Sequence, residues 1–288
     1  MKNYKKIILI AGMLLLIIMM CTVLILFSKR NTKVKNIAKE VTVQHKTDNE
    51  SDTVELGDVE IEYIDKTILE TIENEETGTV LDKERLLMEE TERYFTEKSI
   101  DEAVLKRIRG KSYPENAKIS LNELRYIKVL HYNYDHEIQV GELIVNKAIS
   151  KDCIRIFHEL FEAEYEIASM KLVDDFWTGD SVDSDTNSIA HNNTSAFNYR
   201  TVPGKATLSN HARGLAIDIN PIQNPYVTYN SDGSFAKYYK DMELYIDRNS
   251  GKEHMITHQD ICYQIFTQYG FSWGGNWNSV KDYQHFEK

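Results

Sequence analysis

Hydrophobic and polar positions divide the chain into stretches of very different pattern. Residues 7–27, IILIAGMLLLIIMMCTVLILF, run for 21 positions without a charge, long enough to cross a bilayer as a helix. A cleaved signal peptide has a shorter apolar core and a small-residue cleavage site after it. Here Phe27 is followed by Ser28, Lys29 and Arg30, and Cys21 lacks the small residues of a lipoprotein signal before it. The pattern therefore predicts a short amino-terminal tail and an uncleaved membrane anchor over residues 1–30. Residues 31–82, with TDNESDTVELGDVEIEY and ENEETGT, lose periodicity and read as an acidic linker. In residues 83–112 the apolar doublets Leu86/Leu87, Tyr94/Phe95 and Val104/Leu105 recur on a charged background, which predicts a helical spacer. The capping-box pattern Ser99 to Glu102 marks the start of a second helix within it.

From Tyr113 the pattern becomes that of a folded domain, residues 113–288. RYIKVLHYNY and EIQVGELIVN read as strands. KDCIRIFHELFEAEY follows Ser150, an expected N-cap, and places Ile154, Phe157, Leu160 and Phe161 on one helical face. MKLVDDF, SAFNYR and LAIDIN read as further strands. THQDICYQIFTQYG reads as a helix capped by Thr257, with Gly270 just past its end. FSWGG and YQHFE are short closing strands. The mixture lacks a regular strand–helix–strand repeat, so the expected class is α+β, a small antiparallel sheet with flanking helices.

Charge narrows the partners. Residues 1–39 hold eight basic residues and no acidic one, leaving 26 basic against 45 acidic in the remainder. A domain so acidic is poorly suited to nucleic acid, whose binding rests on Lys and Arg at phosphates. Lysines flank the apolar span on both sides, so the positive-inside rule does not orient it. Three cysteines, Cys21, Cys153 and Cys262, make neither a disulfide framework nor a CxxC metal cluster.

The chemistry concentrates near the carboxyl end. In LAIDIN the period is two: Leu215, Ile217 and Ile219 face one way, and Ala216, Asp218 and Asn220 the other. A carboxylate in such a strand needs a cation, a set of donors or a metal, because an unpaired buried charge is expensive. His211 lies seven residues before Asp218, and His285 stands in DYQHFE. Two imidazoles and a carboxylate suit a catalytic zinc site that keeps one coordination position open. Asp282, three residues before His285, is then a candidate general base.

SNHARGLAID, followed by WGGNW and DYQHFE, resembles the zinc peptidases of the D-alanyl-D-alanine carboxypeptidase and L-alanyl-D-glutamate endopeptidase family, which share a fold with the hedgehog signalling domain. The resemblance covers roughly Tyr113 to Lys288. It implies that His211, Asp218 and His285 bind Zn2+ and that Asp282 is the catalytic acid and base. Ser209 matches the motif serine, assigned to the substrate side of the site as a local hydrogen-bonder. Arg200 matches an arginine aimed at the substrate, with a structural ion pair as the competing role. Trp273 and Trp277 flank two glycines, and one is expected in the core and one on a groove wall, with Trp273 assigned to substrate binding. The implied substrate is the peptidoglycan stem peptide, outside a bacterial cell membrane to which the chain is tethered once by its amino-terminal helix. Whether the terminal D-alanine or the L-alanyl-D-glutamate bond is cut stays open, although the aspartate of D-x-x-H resembles the endopeptidase branch. A catalytically silent zinc-binding or signalling module of the same fold is the alternative. His254 and His258 in HMITH have helical metal-binding spacing but no intervening Glu, and read as surface residues. Residues 224–253 read as a long functional loop near the substrate.

Overall fold

The computed structural model describes residues 69–202, 205–237 and 240–288. The anchor and most of the acidic linker lie outside these residues. Among the described residues no helix is long and apolar enough to cross a membrane.

The scaffold is a four-stranded antiparallel sheet in the order β1-β4-β3-β2. Its centre is the hairpin of β3 (Leu124–Tyr132) and β4 (Ile138–Asn146), paired over nine positions from Leu124↔Asn146 to Tyr132↔Ile138. The edges are β1 (Val80–Leu81), paired with β4, and β2 (Thr96–Ser99), paired with β3. Side chains alternate between two covered faces. Ile127, Val129, Leu143 and Val145 join the larger core, while Leu124, Tyr126 and Ile144 join a second one beneath α1 (Glu102–Ile108). Burial on both faces explains why these strands read as nearly continuous apolar runs.

The expected helical spacer is mostly not helical. Residues 83–95 contain two 3-10 turns, Lys83–Arg85 and Thr91–Tyr94, and residues 96–99 form a sheet edge. The doublets Leu86/Leu87 and Tyr94/Phe95 lie outside any α-helix and pack against the core beside the sheet, and only Val104/Leu105 lies on a helix, α1. Tyr94 is fully buried, its hydroxyl donating to Leu69 O at 2.8 Å and accepting from Leu87 N at 2.6 Å. The segment assigned to linker and spacer thus supplies both sheet edges. The helix foreseen after Ser99 exists as α1, but its cap is Asp101, whose carboxylate accepts from Val104 N at 2.9 Å.

Helix α2 (Ser150–Glu162) packs Cys153, Ile156, Phe157, Leu160 and Phe161 into the larger core. Ser150 is its first helical residue rather than its cap, and its hydroxyl donates to Lys147 O. MKLVDDF gives only a two-residue strand, β5 (Ser169–Met170), then a 3-10 turn. Helix α3 (Ser181–Ala190) is capped by Asp180 and leads into β6 (Asn193–Thr194). Of SAFNYR, only Ser195 pairs with a named strand, as an isolated bridge to Asp218. Helix α4 (Ile261–Gln268) packs Phe266 edge-on against Phe157. Its cap is Asp260, bonded to Cys262 N, and not Thr257, which closes the preceding turn through its carbonyl. Cys153 and Cys262 are buried free thiols.

Two smaller sheets carry the chemistry. One has the order β10-β12-β7, from β10 (Ser272–Trp273), β12 (His285–Glu287) and β7 (Ala216–Asp218). The other has the order β11-β8-β9, from β11 (Val280–Asp282), β8 (Tyr226–Tyr229) and β9 (Phe235–Lys237). The expected long loop over residues 224–253 is therefore partly a hairpin. Arg248 anchors the segment beyond that hairpin, donating to Gln223 O, Tyr245 O, Asn224 Oδ1 and Ile256 O while lying 4.4 Å over the Tyr283 ring. The class is α+β, with small antiparallel sheets and four α-helices among the described residues.

Candidate metal centre

His211 begins a 3-10 turn, His211–Arg213, that ends in Gly214. Gly214 is left-handed, with φ 66°, and a Cβ there would come within 2.7 Å of Asn146 N. Only glycine lets this turn press against β4, where Asn146 N donates to Gly214 O at 2.7 Å. Ser209 helps set the turn, its hydroxyl accepting from His211 N at 3.2 Å. After the turn the chain enters β7, with Ile217 in the core and Asp218 on the opposite side.

β12 lies antiparallel to β7 with His285 directly opposite Asp218, so both side chains project from the same face. On the other side of β7, Asp218 exchanges two backbone hydrogen bonds with Ser195. The three side chains converge. His285 Nδ1 lies 2.9 Å from Asp218 Oδ1, and His211 Nε2 lies 3.3 Å from Asp218 Oδ2 and 3.2 Å from His285 Nδ1. All three are buried, and one ligand atom from each falls within 4.8 Å of the others.

The outward nitrogens decide how the rings can act. His211 Nδ1 donates to Ala196 O at 2.6 Å. A carbonyl only accepts, so Nδ1 carries the hydrogen and a neutral ring turns the Nε2 lone pair into the cluster. His285 Nε2 faces the Glu287 carboxylate at 3.0 Å, which leaves Nδ1 for the cluster. Gln284 donates its amide to Asp218 Oδ2 at 3.1 Å. Two lone-pair nitrogens and a carboxylate, each oriented from behind, are a donor set that fits a divalent metal ion.

Electrostatics point the same way. Burial opposes charge on Asp218, yet the His211 and His285 imidazoles beside it hold its carboxyl well below the usual range. Burial also opposes charge on His285, but its bonds to Asp218 and Glu287 outweigh this and raise it to about 10. The site is thus built around negative charge that requires a cation, a role a proton on His285 fills in the metal-free protein.

Asp282 ends β11 and stands directly opposite Tyr226 on β8. Its Oδ1 is shut off from solvent without a hydrogen-bond partner. Burial, and then the charge of Asp218, push its carboxyl up to about 7. Gly274 makes this approach possible, since a Cβ there would fall 2.5 Å from Asp282 O, 2.9 Å from Asp282 Cβ and 3.2 Å from His285 Cβ. Arg200 is nearly buried and donates to Asp185 Oδ2 at 2.8 Å, with Nε left unpartnered. The structural ion pair is therefore present, and the guanidinium charge also acts on Asp282.

Of the two tryptophans Trp273 is the core one, which corrects its assignment to substrate binding. It is 3% exposed, donates to Tyr283 O at 2.8 Å and packs against Tyr263 and Phe286. Period two along β10 turns it inward. Trp277, partly exposed, lies 5.3 Å from the His285 ring. His254 and His258 form no helical pair. His254 stacks on Tyr134, and His258 bonds Asn276 and packs on Trp273. Sequence reasoning missed Glu287, Gln284, Asp185 and Tyr226. Glu287 had a signal, being two residues from His285 on one strand and hence on its face, whereas the others are brought in by tertiary pairing.

Residues 203–288 match the family model described as D-alanyl-D-alanine carboxypeptidase, which supports the family resemblance carried by the motifs. The matched stretch contains His211, Asp218, Asp282 and His285 but not Arg200. No curated protein and no solved structure matches the chain.

Proposed function

We propose that the chain is a zinc peptidase that hydrolyses peptidoglycan stem peptides at the outer face of a bacterial cell membrane, tethered by residues 7–27. The observation that carries this reading is the convergence of His211 Nε2, Asp218 and His285 Nδ1, with the second nitrogen of each ring already bonded. Bound there, zinc supplies Lewis acidity that polarises a carbonyl and brings the ionisation of water toward neutrality. Asp282 takes the proton from the attacking water at its unpartnered carboxylate oxygen and passes it to the leaving amine. A carboxyl raised to about 7 exchanges protons readily at neutral pH. Arg200 is oriented by Asp185 and offers the free Nε–H toward developing negative charge. The Trp277 ring beside His285 forms a wall for the substrate. Between the two bonds of the stem peptide, the matched family description favours removal of the terminal D-alanine.

The test incubates the full-length chain with zinc and purified muropeptides and reads the products by mass spectrometry. Loss of one terminal alanine is expected, and Asp282→Asn should slow it by about 10²–10⁴-fold. Intact muropeptides after incubation with zinc sink the proposal. Undiminished turnover by the Asn variant removes Asp282 from the mechanism.

A further inference from the structure

We infer that Glu287 is a positioning residue that holds both histidine arms of the metal centre in register; the inference rests on the metal-site reading above. The geometry is specific. One oxygen, Glu287 Oε2, accepts from His285 Nε2 at 3.0 Å and from Asn210 Nδ2 at 2.7 Å. Asn210 immediately precedes His211 and is the N-cap of its turn, with its carbonyl accepting from Arg213 N and Leu215 N. The backbone that presents His211 is therefore tied through the Asn210 side chain to the carboxylate that orients His285.

The strand places the group well. Glu287 lies two residues beyond His285 on β12, opposite Ala216 of β7, so it shares the face of His285 while Phe286 points into the core. A charged acceptor makes a stronger bond to the ring N–H than a neutral one. It keeps the hydrogen on Nε2 and thereby reserves Nδ1 for the cluster. It also restrains ring rotation, which Asp218 alone restrains from one side only. Groups in this relation to metal-bound imidazoles typically change metal affinity by about 10–100-fold when removed.

The experiment titrates zinc alone against the full-length chain in competition with a chromophoric chelator, for wild type, E287A, E287Q and N210A. Zinc binding by E287A should weaken by about 10–100-fold. E287Q should recover part of this loss, because an amide oxygen still accepts from Nε2. N210A should lose less, and E287A and N210A should combine less than additively, since they break a shared bond. The nitrogen-15 shift of His285 Nε2 in the zinc-loaded chain should move in E287A and E287Q. If E287A does not fold, E287Q decides: wild-type zinc affinity together with an unmoved nitrogen-15 shift overturns the inference. So does wild-type affinity in a folded E287A chain. A wild-type chain that takes up no zinc instead refutes the metal reading itself, so the two failures are told apart.

Discussion

The four-stranded sheet and the β10-β12-β7 sheet are antiparallel alike, yet they are held by different physics. The first is built on strands of nine residues whose two faces are covered by apolar side chains, with Phe157, Ile127, Val129 and Leu143 almost wholly buried. Its stability grows with the area removed from water. The second pairs its central strand β12 with β7 over only three residues, and its chemistry is a buried polar cluster of Asp218, His285, His211 and Gln284. Such a cluster is held by complementary charge, and removing one member leaves another stranded. The scaffold can therefore tolerate exchange of one apolar side chain for another of similar volume, whereas the site tolerates little change of chemistry.

The largest expected effect is on the scaffold. Phe157→Ala should lower unfolding free energy by about 3–5 kcal/mol, seen as a reduced urea midpoint. Metal affinity of the molecules still folded should not change. A parallel loss of affinity would break the separation between the two sheets.

Next comes acid sensitivity located in the scaffold. His131 is buried on β3 with Nε2 unpartnered, and burial lowers its pKa from 6.5 to about 4. The unfolded chain therefore binds the proton first as pH falls. The stability this neutral ring contributes is complete above pH 6.5 and is lost progressively as pH drops toward 4, by roughly 3 kcal/mol at most. Urea midpoints of wild type should fall between pH 7 and pH 5 more steeply than those of His131→Leu. Equal slopes would assign the acid sensitivity elsewhere.

The smallest effect on stability should carry a large effect on function. Gly274→Ala forces a Cβ against the Asp282 backbone and the His285 side chain, an overpacking cost of about 1–3 kcal/mol. Because Asp282 and His285 must shift to relieve it, metal affinity and turnover should fall together while the urea midpoint changes modestly. Unchanged affinity in this variant would show that the two sheets are less distinct than their construction implies.

The sequence was legible where one strand or helix carries its own signal. The alternation in LAIDIN placed Asp218 opposite the apolar side, and the apolar runs of β3 and β4 marked the central hairpin. It misled where burial comes from distant partners. The doublets before residue 100 looked helical because nothing local announces that Val80 and Leu81 pair with β4 or that residues 96–99 pair with β3. Trp273 looked like a wall because its burial depends on Phe286 and Tyr263 from other segments.

Residue type and local period nominated His211, Asp218, His285 and the nearby Asp282 as candidates, and the family motifs singled them out from the other histidines and carboxylates of the chain. How they meet is a matter of tertiary pairing. The β7–β12 register sets His285 against Asp218, Gly214 lets the His211 turn settle on β4, and Gly274 lets Asp282 approach. The nitrogen that each ring presents was likewise settled by Ala196 O and Glu287, acceptors whose positions depend on contacts between strands rather than on neighbours in the chain.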